Sequence, residues 1–232
     1  PDNIRVYLIA GTQHGEAAFP PTSRGPGQQL LNPTPHGHVM RALMRAWHEW
    51  TANGTAPPAS QYPRLADKTL VAARDVKFPA LRGVADPRGI EPPGRIVNGK
   101  ATPLPHLVPQ VDADGNEIAG IRTPEVSVPL ATTTGWNFRD RSVGNPGVIY
   151  QLIGSYIPFA PTKAAREENG DPRPSIEERY RDVDDYLKKI RLQAEKLIET
   201  RYLLREDLDD IMSRAKSHWT SATATRHGSA SR

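Results

Sequence analysis

His14 is the residue of this sequence best placed to do chemistry, because an imidazole with an ordinary pKa of ~6.5 takes up and returns a proton near neutral pH. It follows an apolar, β-branched run at residues 4–10 and sits in Gly11-Thr12-Gln13-His14-Gly15, where the glycines let the backbone turn tightly. A side chain delivered there by a strand of a parallel α/β sheet lies at the carboxyl edge, where such sheets collect ligands and catalytic groups. The competing reading is a loop histidine held by hydrogen bonds for structure alone.

The other candidates carry less. His36 and His38 form a His-x-His pair, but two ligands without a third His or a placed carboxylate do not make a metal site, so none is expected. His48, between Trp47 and Trp50, is expected on a helix surface. The stretch Asp112-Ala113-Asp114-Gly115-Asn116-Glu117 has the look of a calcium loop. Its glycine comes fourth rather than sixth, however, and the twelfth residue is Thr123, so a hairpin turn is expected instead. Ser155, in Gly154-Ser155-Tyr156, lacks the second glycine of a nucleophile elbow. Neither Gly-x-Ser-x-Gly nor a glycine-rich phosphate loop occurs. With no cysteine there is no thiolate nucleophile, thiolate metal site or disulfide.

The elements that would position these residues fall into zones. Residues 1–54 read as the last βα unit of a larger sheet: a strand at 4–10 of the type covered on both faces, a Pro/Gly-rich loop, and a helix with Val39, Leu43, Ala46/Trp47 and Trp50 at helical spacing, closed by Asn53-Gly54. One strand is no sheet, so its neighbours are expected before Pro1 or in another chain. Residue 1 is Pro rather than Met, so a processed or partial chain is expected, and localisation is not readable. Residues 55–150 form an irregular, β-rich elaboration. Seven Pro and four Gly between Phe78 and Pro109 predict an ordered coil. Beyond it, a hairpin is predicted at 108–121 and a second strand at 126–132.

Residues 151–212 read as a helical segment. Ile176, Tyr180, Val183, Leu187, Ile190, Ala194 and Leu197 predict one helical stripe, opened by a Ser175/Glu178 capping box. A shorter helix is predicted from Glu206 with Leu208, Ile211, Met212 and Ala215 inside, and residues 213–232 are expected to be unstructured.

Across 232 residues, 37% hydrophobic and 24% charged, the 30 basic and 26 acidic residues are spread evenly and give a net charge of +4. No Lys/Arg cluster marks a nucleic-acid partner, and no apolar stretch approaches the ~20 residues of a membrane span. Oligomeric state is not readable.

Several phrases together resemble the bacterial α/β-hydrolase domain proteins. They include the stretch 5–15, Arg41-Ala42-Leu43 with Trp50, 56–63, 111–116, Gly135-Trp136-Asn137, 154–160, and Gly170-Asp171-Pro172-Arg173 with Glu178-Arg179-Tyr180. The resemblance runs over about residues 1–212 and implies an α/β fold: the C-terminal portion of an α/β-hydrolase, with its last core strand and helix, a Pro/Gly-rich β-hairpin region and a C-terminal helical hairpin. It places His14 on the triad histidine. Since the order in that fold is Ser, then Asp or Glu, then His, the other two members are expected upstream of Pro1. The implied activity is esterase-like acyl transfer on a small ester, lactone or amide, with no cofactor and no metal. The isolated chain is then expected to be inactive. The alternative is a non-catalytic binding or assembly module.

Overall fold

The computed structural model describes residues 2–90, 94–104 and 106–224. Residues 4–10 are extended, as their side chains favour, yet they do not form a strand covered on both faces. Ile4 is 52% and Val6 47% exposed, whereas Ala10 is fully buried. The run makes two single-residue parallel bridges, Tyr7 with Gln61 and Ile9 with Ile121. Leu8 N–H donates to Gln61 O (2.8 Å), and Ile121 N–H donates to Leu8 O (2.7 Å). Within the chain the run thus meets two partners that contribute one bridged residue each.

The regular elements are, in order, β1 (Leu30–Leu31), α1 (Gly37–Asn53), β2 (Leu70–Ala72), β3 (Gly94–Val97), β4 (Lys100–Pro103), β5 (Leu107–Pro109), α2 (Pro124–Ser127), β6 (Ala131–Thr133), β7 (Asn137–Phe138), β8 (Ile149–Tyr150), β9 (Ser155–Pro158), α3 (Lys163–Asn169), α4 (Ile176–Arg179), α5 (Val183–Glu199) and α6 (Leu208–Thr223). Among the described residues, all strand pairs in sheets are antiparallel. One sheet has the order β1-β9-β6, and β2 pairs with β5, β3 with β4, and β7 with β8.

Helix α1 ends where Gly54 takes the left-handed conformation (φ 70°) and its N–H bonds the carbonyls of Glu49 and Trp50. The helix buries Val39, Ala42 and Ala46, a stripe turned by one residue from the expected one, and leaves Trp47 60% exposed. The Pro-rich stretch is more regular than its composition suggests. Asn98 and Gly99 (φ 51° and 74°) join β3 to β4 with the positive dihedrals of a tight hairpin turn. The turn at 112–116 also forms: Asp112 Oδ1 accepts from the N–H groups of Asp114 and Asn116 (both 3.0 Å). The flanking hairpin does not, since β5 pairs with β2 and only the Val111–Glu117 bridge spans the turn. The strand expected at 126–132 is replaced by α2, with Pro124 at its first position, and a strand that starts at Ala131.

The stripe expected as one helix is cut in two. Ser175 and Glu178 form the capping box that starts α4, the chain opens out at Tyr180, and Asp182 accepts from Asp185 N–H to start α5. The stripe is buried nonetheless, with Ile176, Tyr180, Tyr186, Ile190 and Ala194 in the main core. Leu187 sits at its margin, and Tyr186 takes the fully buried place. Helix α6 runs eleven residues into the stretch expected to be unstructured, because Trp219 and Ala222 extend its inner face beyond Leu208, Ile211 and Ala215. Trp219 stacks against Tyr186 (centroids 5.3 Å). Residues 225–232 lie outside the described residues. A second cluster of Val76, Phe78, Leu81 and Ile157 packs under the Pro-rich region.

Removing the buried side chain of Ile190 should therefore cost about 2–5 kcal/mol. Leu192→Ala, at a position 55% exposed, should change stability by no more than about 0.5 kcal/mol. Urea denaturation of Ile190→Ala, Leu192→Ala and parent measures the contrast, and equal midpoints would refute this packing of α5.

Candidate functional site

The extended run ends at Gly11, whose positive φ of 63° turns the chain into the loop that carries His14. Three hydrogen bonds fix that loop to the body of the protein, and a fourth ties it to the run before it. Gly11 N–H donates to Glu117 Oε2 (2.9 Å), and Gly11 O accepts from Asn32 Nδ2 (2.7 Å). Gln13 Oε1 accepts from Gly154 N–H (2.6 Å), and Thr12 Oγ1 donates back to Ile9 O (2.7 Å). The Gln13 amide also donates to Gly15 O, closing the loop on itself. Close backbone approach holds the same region. A side chain at Gly154 would lie 2.0 Å from Thr134 O, and only glycine fits.

Within this frame Gln13 is buried and His14 is exposed. The imidazole makes no hydrogen bond or ion pair among the described residues. The roots of the loop are clamped while its one proton-transfer group faces outward.

The remaining candidates separate from it. His38 Nε2 lies 2.8 Å from Asp210 Oδ2 on α6, and His36 caps no helix N–H. Among the described residues no group of three or more His, Cys, Asp or Glu side chains could hold a metal ion. His48 is exposed. Ser155 is buried in β9 and donates to Trp136 O (2.7 Å), which gives its hydroxyl a structural partner inside the sheet. Asp112 and Asp114 are spent on Arg122 (3.0 Å) and on Arg179.

Sequence reasoning missed three desolvated titratable groups. Glu117, read only as a turn residue, has its carboxyl held above the ordinary carboxylate range by loss of solvent, against the Gly11 N–H that favours the anion. Glu125 is raised in the same direction by desolvation, opposed by hydrogen bonds and by Arg214 and His38. His218, in the stretch expected to be unstructured, has its ring nitrogen 2.6 Å from Tyr156 Oη, and desolvation, with Arg214 nearby, lowers its pKa to about 4. Glu125, Tyr156, Arg214 and His218 border a cavity of about 20 Å³. Short local sequence around a lone Glu or His carries no signal for such burial; only the apolar residues at 211, 215 and 219 could have hinted that α6 continues past 213.

The family model described as alpha/beta hydrolase domain matches residues 1–213, and the chain belongs to that family. No curated protein and no solved structure matches it. The mixed helix and strand content, with small sheets, accompanies that membership. No helix among the described residues is long and apolar enough to cross a membrane.

His218 gives a pH prediction. Its folded pKa of about 4 lies below the ordinary 6.5, so between these values the unfolded chain binds a proton that the folded one does not. The stabilisation is complete above pH 6.5 and is lost as pH falls toward 4, on the order of 3 kcal/mol in all. Glu117 and Glu125 act with the opposite sign, losing stability as pH rises, so the term is isolated by difference. His218→Gln keeps a partner for Tyr156, and the gap in unfolding free energy between parent and variant should shrink by that amount from pH 7 to pH 4. A constant gap would contradict the placement of His218.

Proposed function

We propose that this chain carries the general base of a serine hydrolase of the α/β-hydrolase type, and that His14 is that base. In this reading residues 4–10 and α1 form the C-terminal portion of the hydrolase core. The serine and the acid belong to protein segments other than these 232 residues, which contain no nucleophile elbow. His14 takes the proton of the serine hydroxyl as its oxygen attacks the carbonyl of a small ester, lactone or amide. It then returns that proton to the departing alcohol or amine. An acid on the far ring nitrogen orients the imidazole, and backbone N–H groups stabilise the oxyanion.

The observation that carries the reading is the contrast between the clamped loop 11–15 and its unpartnered, outward-facing imidazole. A base on a loop whose backbone is already anchored, with both nitrogens available, needs little backbone rearrangement to receive a nucleophile and an acid. Family membership supports hydrolase chemistry as the class of reaction.

A second reading, a non-catalytic binding or assembly module, draws on one feature of α1. Met40, Met44 and Trp47 are 45%, 63% and 60% exposed and lie on one helix face. The same substitution separates the two. In the intact protein, His14→Ala should retain its melting temperature and lose about a thousandfold or more in kcat toward p-nitrophenyl acetate. His36→Ala and His38→Ala should remain near parental activity. If His14→Ala keeps more than about a tenth of parental kcat, the triad assignment fails and the module reading stands in its place.

A further inference from the structure

A cavity of about 90 Å³ lies between the Pro-rich region and β6–β7, and it is distinct from the exposed face of His14. Its walls are apolar and aromatic: Val76, Phe78, Val108, Trp136 and Ile149 line it, with Phe78 and Trp136 edge to face at 5.4 Å. Among the polar residues of that lining, Glu117 and His106 carry the titratable side chains. The Glu117 carboxyl has the Gly11 N–H as its one hydrogen-bond partner, and it takes this on Oε2. The His106 ring has its Nδ1 buried with no partner at all. Thr134, by contrast, spends its hydroxyl on Trp136 O.

An apolar pocket bordered by a few polar side chains has the composition of a small-molecule site. We propose that this cavity binds a small, uncharged alcohol, its hydrocarbon part against Phe78 and Trp136 and its hydroxyl toward Glu117 and His106. The size limits the ligand to a handful of carbons, since a cavity of ~150 Å³ is what benzene occupies. The polar chemistry favours a hydroxyl over an ion. One hydroxyl offers one donor and an acceptor, which answers a carboxyl oxygen and a ring nitrogen. An ammonium brings three N–H donors to a site with two candidate acceptors, and it would have to shed its water among hydrocarbon walls. A carboxylate would likewise have to shed its water among those walls, with no cationic partner in the lining beyond the His106 ring. The tendency of Glu117 to stay protonated agrees with a neutral site. None of this depends on the role of His14.

The test uses three matched probes, cyclobutanol, cyclobutylamine and cyclobutanecarboxylate, titrated into the full chain at pH 7 and followed by amide chemical shifts. Cyclobutanol should give saturable shifts centred on Gly115, Glu117 and Thr134, and it should bind at least ten-fold more tightly than either ion. Val108→Trp, which fills the cavity, should abolish those shifts while leaving the remainder of the spectrum folded. The proposal is overturned by any of three results: no saturation with cyclobutanol, an amine or carboxylate that binds as well, or shifts centred elsewhere. Because the wild-type shift map alone decides the location, a variant that failed to fold would not rescue the idea.

Discussion

A chain with strands of two to four residues leaves most of its buried backbone without a ladder, so the structure rests on side chains that take over the work of satisfying N–H and C=O groups. Asn32, fully buried, donates to Gly11 O and Thr134 O (2.7 and 2.9 Å) and accepts from Thr34 N–H (2.9 Å). Asn116 accepts from Thr133 N–H (2.9 Å) and donates to Ala131 O, and Asn137 joins Gln29 to Gly154. Gln110 ties its own segment to Asp75 and Lys77 across the Pro-rich region, donating to Asp75 O and accepting from Lys77 N–H. Each amide stitches two or more segments far apart in sequence. Replacing one by an apolar residue would strand several backbone groups at once, each costing about 1–3 kcal/mol if left unpaired.

This network also relates the His14 loop to the neighbouring cavity. Thr133 lines the cavity, and a side chain on Gly11 would meet its hydroxyl at 2.7 Å. Glu117 belongs to both, with its carboxylate on Gly11 N–H and its surface on the cavity. Loop and cavity are thus two sides of one thin partition. The backbone at Gly11 is set by the same residues that shape the cavity wall.

What the sequence made legible is what is local. The Ser175 box, the Gly54 stop and the 112–116 turn each depend on residue types a few positions apart, and each formed. The helical break at 180–182 was hidden because the stripe continues across it; Asp182 competes as a cap inside a pattern that apolar spacing reads as unbroken. Helix α6 was lost beyond 213 because Ala, Ser, Thr and His dilute its period, although Trp219 supplies the contact that holds it. His14 stood out as a candidate from its place after an apolar run. Its supports were not, because Asn32, Glu117 and Gly154 lie 21, 106 and 141 residues from their partners in the loop. The extended run at 4–10 misled for a related reason: its partners contribute one residue each, which leaves no strand pattern at 61 or 121.

Strand β9 lies in the middle of its sheet and is gripped from two directions by different kinds of group. On one side Arg173, 3% exposed and paired with Asp171, donates to the carbonyls of Ile157 and Pro158 (3.0 and 3.1 Å). On the other, His218 of α6 meets the hydroxyl of Tyr156. A guanidinium keeps its proton at any pH a protein survives, and an enclosed imidazole does not stay neutral in acid. The two grips therefore answer acid differently. Charging His218 works against its enclosed contact with Tyr156, while Arg173 keeps its bonds to the Ile157 and Pro158 carbonyls, so the pH sensitivity of this strand lies on its helix side.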